Sequence, residues 1–449
     1  MAESPQPAPP HYPYTRWNFI IIAIDAGFFM ASLAFIDPVA VLPVLLSNLH
    51  ASAVLIGLMA AIQRAGWLVP QLLVTSFVLH RERKFPFVIY PVLVSRLPLI
   101  ALAILFSVTW GADNPQALLL LTVTIFAFFF FGDGMVGVPW HDICARTIPP
   151  TLRGRFFGAI QLVSGILGVA AGELVRRVLA DSSISFPHNY GRLFVFLCIG
   201  MIISTIFVAL IKEPKGGATT EAQSLLRIVR AIPVTLRRYP LLRRLIICQL
   251  LSGVPLVAMP FYAVYATQNL GLPQAAAGRF VQAGIIGFAA ASMVWAYMSD
   301  RLGTTRVLRV VSIVIVAVPL SAVLIPPLAR MLGLEHAMMY LYALVFLLNG
   351  TVGGGTWIGF TNYLLEIAPD DIRPLFLGLQ ATLSSPVVLM PLVGGLLLGV
   401  ISFETLFMLA AASGVLAVVH IHRLREPRHL PSPPGAHPGM IARPEEHYV

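Results

Sequence analysis

Residues 149–158 read PPTLRGRFFG, and residues 369–378 read PDDIRPLFLG. Pro149 and Pro369, Arg153 and Arg373, Phe156 and Phe376, and Gly158 and Gly378 align at a constant offset of 220 residues. Arg81 and Arg301 keep that offset. Another echo precedes the second helix of each half, SNLHAS at 47–52 and QNLGLP at 268–273. Self-similarity at so long a period means that two halves share one plan, in parallel orientation.

The segments around these echoes are apolar. Of 449 residues 57% are hydrophobic and only 11% charged, with a mean hydropathy of +0.83. A soluble domain of this size needs a far more polar surface. The apolar runs are long enough to cross a bilayer ~30 Å thick at 1.5 Å per residue. Twelve spans are predicted, near 17–47, 55–79, 86–108, 116–144, 155–180, 193–211, 244–266, 275–298, 307–328, 338–365, 373–399 and 403–422. The fold class is therefore an all-α membrane protein with two six-helix halves, 17–211 and 244–422. The Pro-rich, polar ends, 1–16 and 423–449, are expected to be disordered cytoplasmic tails. The apolar run after MAESPQPAPPHYPYTR is too long for a signal-peptide core.

The net charge of +10 belongs to the membrane surface, not to nucleic acid. With both termini in the cytoplasm, 23 of the 30 Lys and Arg fall in cytoplasmic segments, as the positive-inside rule requires. Segment 212–243 joins the halves and carries eight basic residues up to Arg244. Within it Leu225, Leu226, Ile228, Val229 and Ile232 alternate with Arg227 and Arg230, which suits an interfacial helix or a solvated linker. Three cysteines without a CxxC pair or a His cluster give no disulfide framework and no zinc site. No metal and no cofactor is expected. The preference for Arg over Lys hints at a GC-rich bacterial genome, and a bacterial inner or plasma membrane is the expected location.

The stretch AYMSDRLGTTR at 296–306 joins the second and third helices of the second half. It is similar to the loop motif of the major facilitator superfamily, a small residue, Asp-Arg-x-Gly and a closing basic residue. The first-half copy, VTSFVLHRERK at 74–84, lacks the Gly and has His80 where Asp300 would align. With the twelve spans and the repeat, the resemblance covers about 17–422. It implies two six-helix bundles around a cavity lined by the first and fourth helix of each half. It also implies a cytoplasmic gate in which Asp300 meets the basic Arg153–Arg155 region, with Arg301 and Arg306 beside Asp300 and Arg373 as the mirror position.

Six charges lie within spans, all in the first half: Asp25, Asp37, Arg64, Arg96, Asp133 and Glu173. A charge at the bilayer centre costs ~2.5–3.5 kcal/mol on insertion scales and usually faces a cavity or a partner. From depth along the helices, Asp37 lies within pairing reach of Arg64, and Arg96 within reach of Asp133. Glu173 is three and four residues from Arg176 and Arg177, which suits local pairing. Asp25 has no evident partner. An unpaired carboxyl out of water can hold a proton near neutrality. Asp37, with Asp25 or Asp133, is therefore the expected coupling acid, against the alternative of a fixed Asp37–Arg64 ion pair.

The second half offers uncharged groups. Tyr262 and Tyr265 lie in span seven, and Asn349, Thr356, Trp357 and Asn362 in span ten. Aromatic faces with a few amides and hydroxyls suit a neutral or amphipathic organic solute, against ordinary helix packing. The function expected is proton-coupled secondary transport of a small organic solute by a monomer. An uncoupled facilitator and a non-transporting receptor or scaffold are the alternatives. No Walker motif is present for ATP drive. An enzyme would need an acid, nucleophile or metal constellation at one depth. Among the histidines only His141, beside Asp142, lies in a span.

Overall fold

The computed structural model describes residues 12–78, 81–214, 225–369 and 372–429. His80 and the expected tails up to residue 11 and from residue 430 lie outside the described residues. The first half contains α1 (Thr15–Ala34), α2 (Val41–Asn48), α3 (Ala53–Val78), α4 (Pro86–Ser107), α5 (Thr109–Asp113), α6 (Pro115–Gly134), α7 (Gly137–Thr147), α8 (Pro150–Ala180) and α9 (His188–Ala209). A connecting helix α10 (Leu225–Arg238) leads into α11 (Pro240–Gly253), α12 (Phe261–Gln268), α13 (Ala276–Leu302), α14 (Thr304–Met331), α15 (Met338–Ile367), α16 (Arg373–Ser384), α17 (Met390–Leu397) and α18 (Phe403–His422).

These elements make twelve candidate membrane spans among the described residues, at the twelve places where the apolar runs stand. Several spans are broken. The first is interrupted between α1 and α2, at Phe35–Ala40, and the fourth between α6 and α7. The seventh passes through a tight turn at Val254–Ala258 and the eleventh through one at Ser385–Leu389. Pro255, Pro260, Pro386 and Pro391 flank or sit in these last two turns. Each removes a backbone donor and disfavours the preceding helical turn. α15 runs unbroken from Met338 to Ile367 through the triple glycine 353–355. Gly354 and Gly355 let α15 lie close on Ser292, Trp295 and Val311.

In the first half α1 packs on α8 and α9, and α4 on α6 and α9. In the second, α13 packs on α15, and α14 on α15 and α18. The repeat is visible as a repeated contact. Phe19 meets Phe156 edge-on with ring centroids 5.4 Å apart. Tyr239 and Phe376, each 220 residues further on, meet in the same way at 5.0 Å. Phe156 and Phe376 are both buried, which explains why the echo keeps a phenylalanine there.

The halves meet along two seams, α8 on α13 and α3 on α17. By the repeat these are one contact made twice about a pseudo-two-fold axis. Near that axis equivalent residues touch each other, and Gln268 Nε2 donates to Ser47 Oγ at 2.5 Å. The connecting helix α10 places Ile232, Leu236 and Tyr239 against the core of the second half. The tail expected to be disordered from 423 is held against the second half as far as Arg428. Glu426 accepts from the Thr305 amide at 3.1 Å, and Arg425 O accepts from Tyr363 Oη at 2.9 Å. These bonds hold the segment in place although its composition is polar.

Candidate functional site

Four helices of the first half aim polar groups at one buried point. Arg96, on α4, lies 3.7 Å from an Asp133 oxygen on α6. Its Nη1 donates to Ser204 Oγ at 3.0 Å and Thr205 Oγ1 at 2.8 Å, both on α9. The guanidinium also stacks over Phe29 at 5.2 Å. Ser204 Oγ in turn donates to Asp25 Oδ1 on α1 at 2.5 Å. The expected Arg96–Asp133 proximity is present. Asp25, expected to stand alone, is tied to the same group through Ser204. All three charged residues are less than a tenth exposed. Two carboxylates thus share one guanidinium, at a depth where a lone charge is costly.

Asp37 and Arg64 do not pair. Asp37 Oδ1 accepts from the Val39 and Ala40 amides at 2.9 and 2.8 Å. Its carbonyl accepts from Val41 and Leu42. The side chain satisfies the donors that open up where the first span breaks, in a setting without water to do so. The residue pair Asp37-Pro38 is a turn former inside an apolar run. Asp37→Asn should therefore keep stability and transport, because its amide oxygen accepts the same bonds. Asp37→Ala should cost about 0.5–2 kcal/mol, as loss of a helix cap does. Thermal melts of both variants check the cap, and proton flux lost in Asp37→Asn would assign Asp37 the coupling role.

Glu173 pairs as its spacing predicts, with Arg176 at 2.6 Å and Arg177 at 2.9 Å. It also reaches Arg279 of the second half at 3.3 Å. Around it α8 and α13 cross closely. Gln282 Nε2 donates to Val169 O at 3.1 Å. A side chain on Gly278 would collide with Gly172 O and the Arg176 backbone. On the other seam, one on Gly57 would meet Pro391 O, and one on Gly395 would meet Ala53 O. The face opposite the arginine-rich loops is thus closed by backbone contact.

The arginine-rich face is different. Gly154, Gly158 and Gly165 of α8 have no neighbour within 4 Å of the position a Cβ would take. Asp300 and Arg155 are exposed, and Arg153 turns back to the carbonyls of Ala145 and Ile148 at 3.0 and 3.3 Å. Among the described residues no ion pair joins Asp300 to Arg153 or Arg155. Arg301 and Arg306 are exposed on the same face, and Arg373 opens α16.

Sequence reasoning missed two acids here. Glu213, after α9, accepts from the Lys84 and Phe85 amides at 2.6 and 3.0 Å. Glu426, after α18, does the same for Thr305. The signal was the pair of echoes Lys212-Glu213-Pro214 and Arg425-Glu426-Pro427. Each ties the end of a half to the start of that half's third span. The surrounding ion pairs have opposite sense. Arg146 of α7 lies 3.4 Å from Glu213, whereas Glu366 of α15 accepts from Arg428 at 2.9 Å.

The aromatic candidates of span seven lie inside the packing. Tyr262 and Tyr265 are 2% and 5% exposed and pack on Phe407 and Phe403. They are core residues, held among the aromatic rings of α18. Asn349 and Thr356 share a half-exposed face of α15 with Gly353. Thr356 bonds back to Val352 O of its own helix at 2.9 Å. Asn362 Nδ2 donates to Ser299 Oγ of α13 at 3.0 Å, so it joins two helices. Trp357 is 75% exposed. A groove of about 400 Å³ lies between α4 and α9, lined by Ile100, Ile104, Val195 and Ile199. Its apolar wall sets it apart from the charged cluster.

Two six-helix halves, joined by repeat-related seams and holding buried charge, belong to a membrane transporter, not an enzyme. The chain belongs to the major facilitator superfamily, whose sequence profile matches residues 183–386 and 257–444. No curated protein sequence matches it significantly. Among solved structures it is similar to a bacterial homologue of the iron transporter ferroportin in its inward-facing state. That match has a TM-score of 0.68 and 14% identity, over 90% of this chain and 98% of the other. A nucleoside transporter gives 0.66 at 15% identity, over 92% and 100%. A D-xylose–proton symporter gives 0.65 at 12%, over 93% and 99%. At such identities the likeness is one of fold.

Proposed function

We propose that this protein is a proton-coupled secondary active transporter of a small organic solute, working as a monomer by alternating access in a bacterial inner membrane. The arginine-rich face is cytoplasmic by the positive-inside rule, so the conformation described above opens to the cytoplasm. The observation that carries the reading is the cluster of Asp25, Ser204, Arg96 and Asp133. With both acids ionised the cluster has one net negative charge, and with one proton bound it is neutral. It joins α1, α4, α6 and α9, so a change in its proton count alters how four helices hold together. Rocking of the halves about their seams then gives each side access in turn.

The test is solute-driven proton flux into liposomes, with the solute first found by thermal stabilisation at acidic and neutral pH. Asp133→Asn and Asp25→Asn should each leave solute counterflow in place. At least one should abolish the accompanying proton movement. Counterflow without proton flux in the native protein identifies an uncoupled facilitator instead. Binding without counterflow identifies a receptor.

A further inference from the structure

We infer that Arg64 is the anchor for a single carboxylate on the transported solute, which makes that solute a small amphipathic monocarboxylate. The inference rests on the reading of the chain as a carrier of organic solutes. Arg64 lies 11 residues into α3, or ~16 Å from the end of that helix at 1.5 Å per residue. That is the bilayer midplane, where carriers of inverted or parallel repeats hold their solutes. It also lies seven residues beyond Gly57, hence on the same helix face. That face is the one pressed against α17 of the other half. Arg64 therefore lies on the seam between the halves, beside Met259 of the second half.

Its guanidinium is not satisfied by the protein. The Nη2 donates only to the sulfur of Met259, across the seam, at 3.1 Å. The Nε is buried with no hydrogen-bond partner. Among the described residues no carboxylate pairs with it. These two nitrogens form one edge of the guanidinium, and that edge matches the two oxygens of a carboxylate. The neighbouring arginine is not available in this way. Arg96 is already held by Asp133, Ser204, Thr205 and the Met201 carbonyl. One free cation compensates one negative charge, so a second charge on the solute would be buried without a partner. Met259 and the partly buried Trp67, one turn along α3, offer an apolar body to lie against.

The experiment uses the purified full-length protein in lipid nanodiscs and a library of monocarboxylic acids, each paired with its own primary amide. Melting temperature is read for the native protein, Arg64→Gln and Arg64→Lys. At least one acid, but not its amide, should raise the native melting temperature by a few degrees at saturation. Its apparent Kd should rise about tenfold to a hundredfold in Arg64→Gln, as loss of a charge-assisted pair implies. Arg64→Lys keeps the charge without the fork, so it should weaken the acid less and still reject the amide. It decides the matter if Arg64→Gln does not fold. Equal stabilisation by acid and amide overturns the inference. So does an acid effect that survives Arg64→Gln, or a library in which no acid stabilises the protein. The carrier reading is tested separately by counterflow of the bound compound in liposomes. Acid binding without counterflow sinks that reading alone, while counterflow of a neutral solute unaffected by Arg64→Gln sinks the Arg64 assignment alone.

Discussion

Arg96→Gln should be the most destabilising single change in the first half. The substitution leaves Asp25 and Asp133 buried beside each other with no cation, and removing one partner of a buried pair costs about 3–5 kcal/mol. The ion pair at 3.7 Å is long for a bidentate contact. The larger loss is therefore the shared neutralisation of two acids, together with the bonds to Ser204 and Thr205. This has a distinctive consequence. Arg96→Gln combined with Asp133→Asn removes one of the two stranded charges, so the double variant should be more stable than Arg96→Gln alone. Thermal melts of the four members of the cycle give the coupling directly. Additive losses would mean that Arg96 and Asp133 act independently, and the shared-proton account of the cluster would go with them.

How much of this was readable in the residues follows from the solvent. A bilayer forces backbone groups to pair within each segment, so the twelve spans declare themselves by length and apolarity. The parallel halves follow from the 220-residue echo, because Phe156 and Phe376 do the same packing work. The Arg96–Asp133 proximity followed from depth alone. Facing was not legible. A span that is apolar all round has no wet side to set its rotation, so Tyr262 and Tyr265 read like cavity walls and lie in the core. Asp37 read as a coupling acid, with an ion pair to Arg64 as the alternative. Its carboxylate accepts two backbone bonds where the first span breaks, a partner that depth alone does not reveal. Ser204, which links Asp25 to Arg96, carries no pattern that singles it out from other small residues in a helix.

Gly278→Leu should abolish transport while leaving the protein folded. At this position α8 and α13 touch through their backbones, and a Cβ would press on Gly172 O and Arg176. A leucine fits only if the two helices separate, and overpacking of this kind costs about 1–3 kcal/mol. Conformations of a switching protein differ by only a few kcal/mol. A penalty of that size on the state closed at this face shifts the balance by about 5–150-fold toward the state open there. The cores of the two halves are untouched, so the melting temperature should change little. Accessibility reads the shift. The three native cysteines are buried, so a cysteine introduced as Gly158→Cys reports on the arginine-rich face, where that position has open space. Labelling from that face should fall in the Gly278→Leu background. Gly278→Ala, the smallest intrusion, should give a partial version of the same shift. Unchanged labelling together with lost transport would place the defect in the Glu173–Arg279 contact and not in the balance of conformations. Unchanged labelling and transport would mean that the crossing does not set the closed state at all.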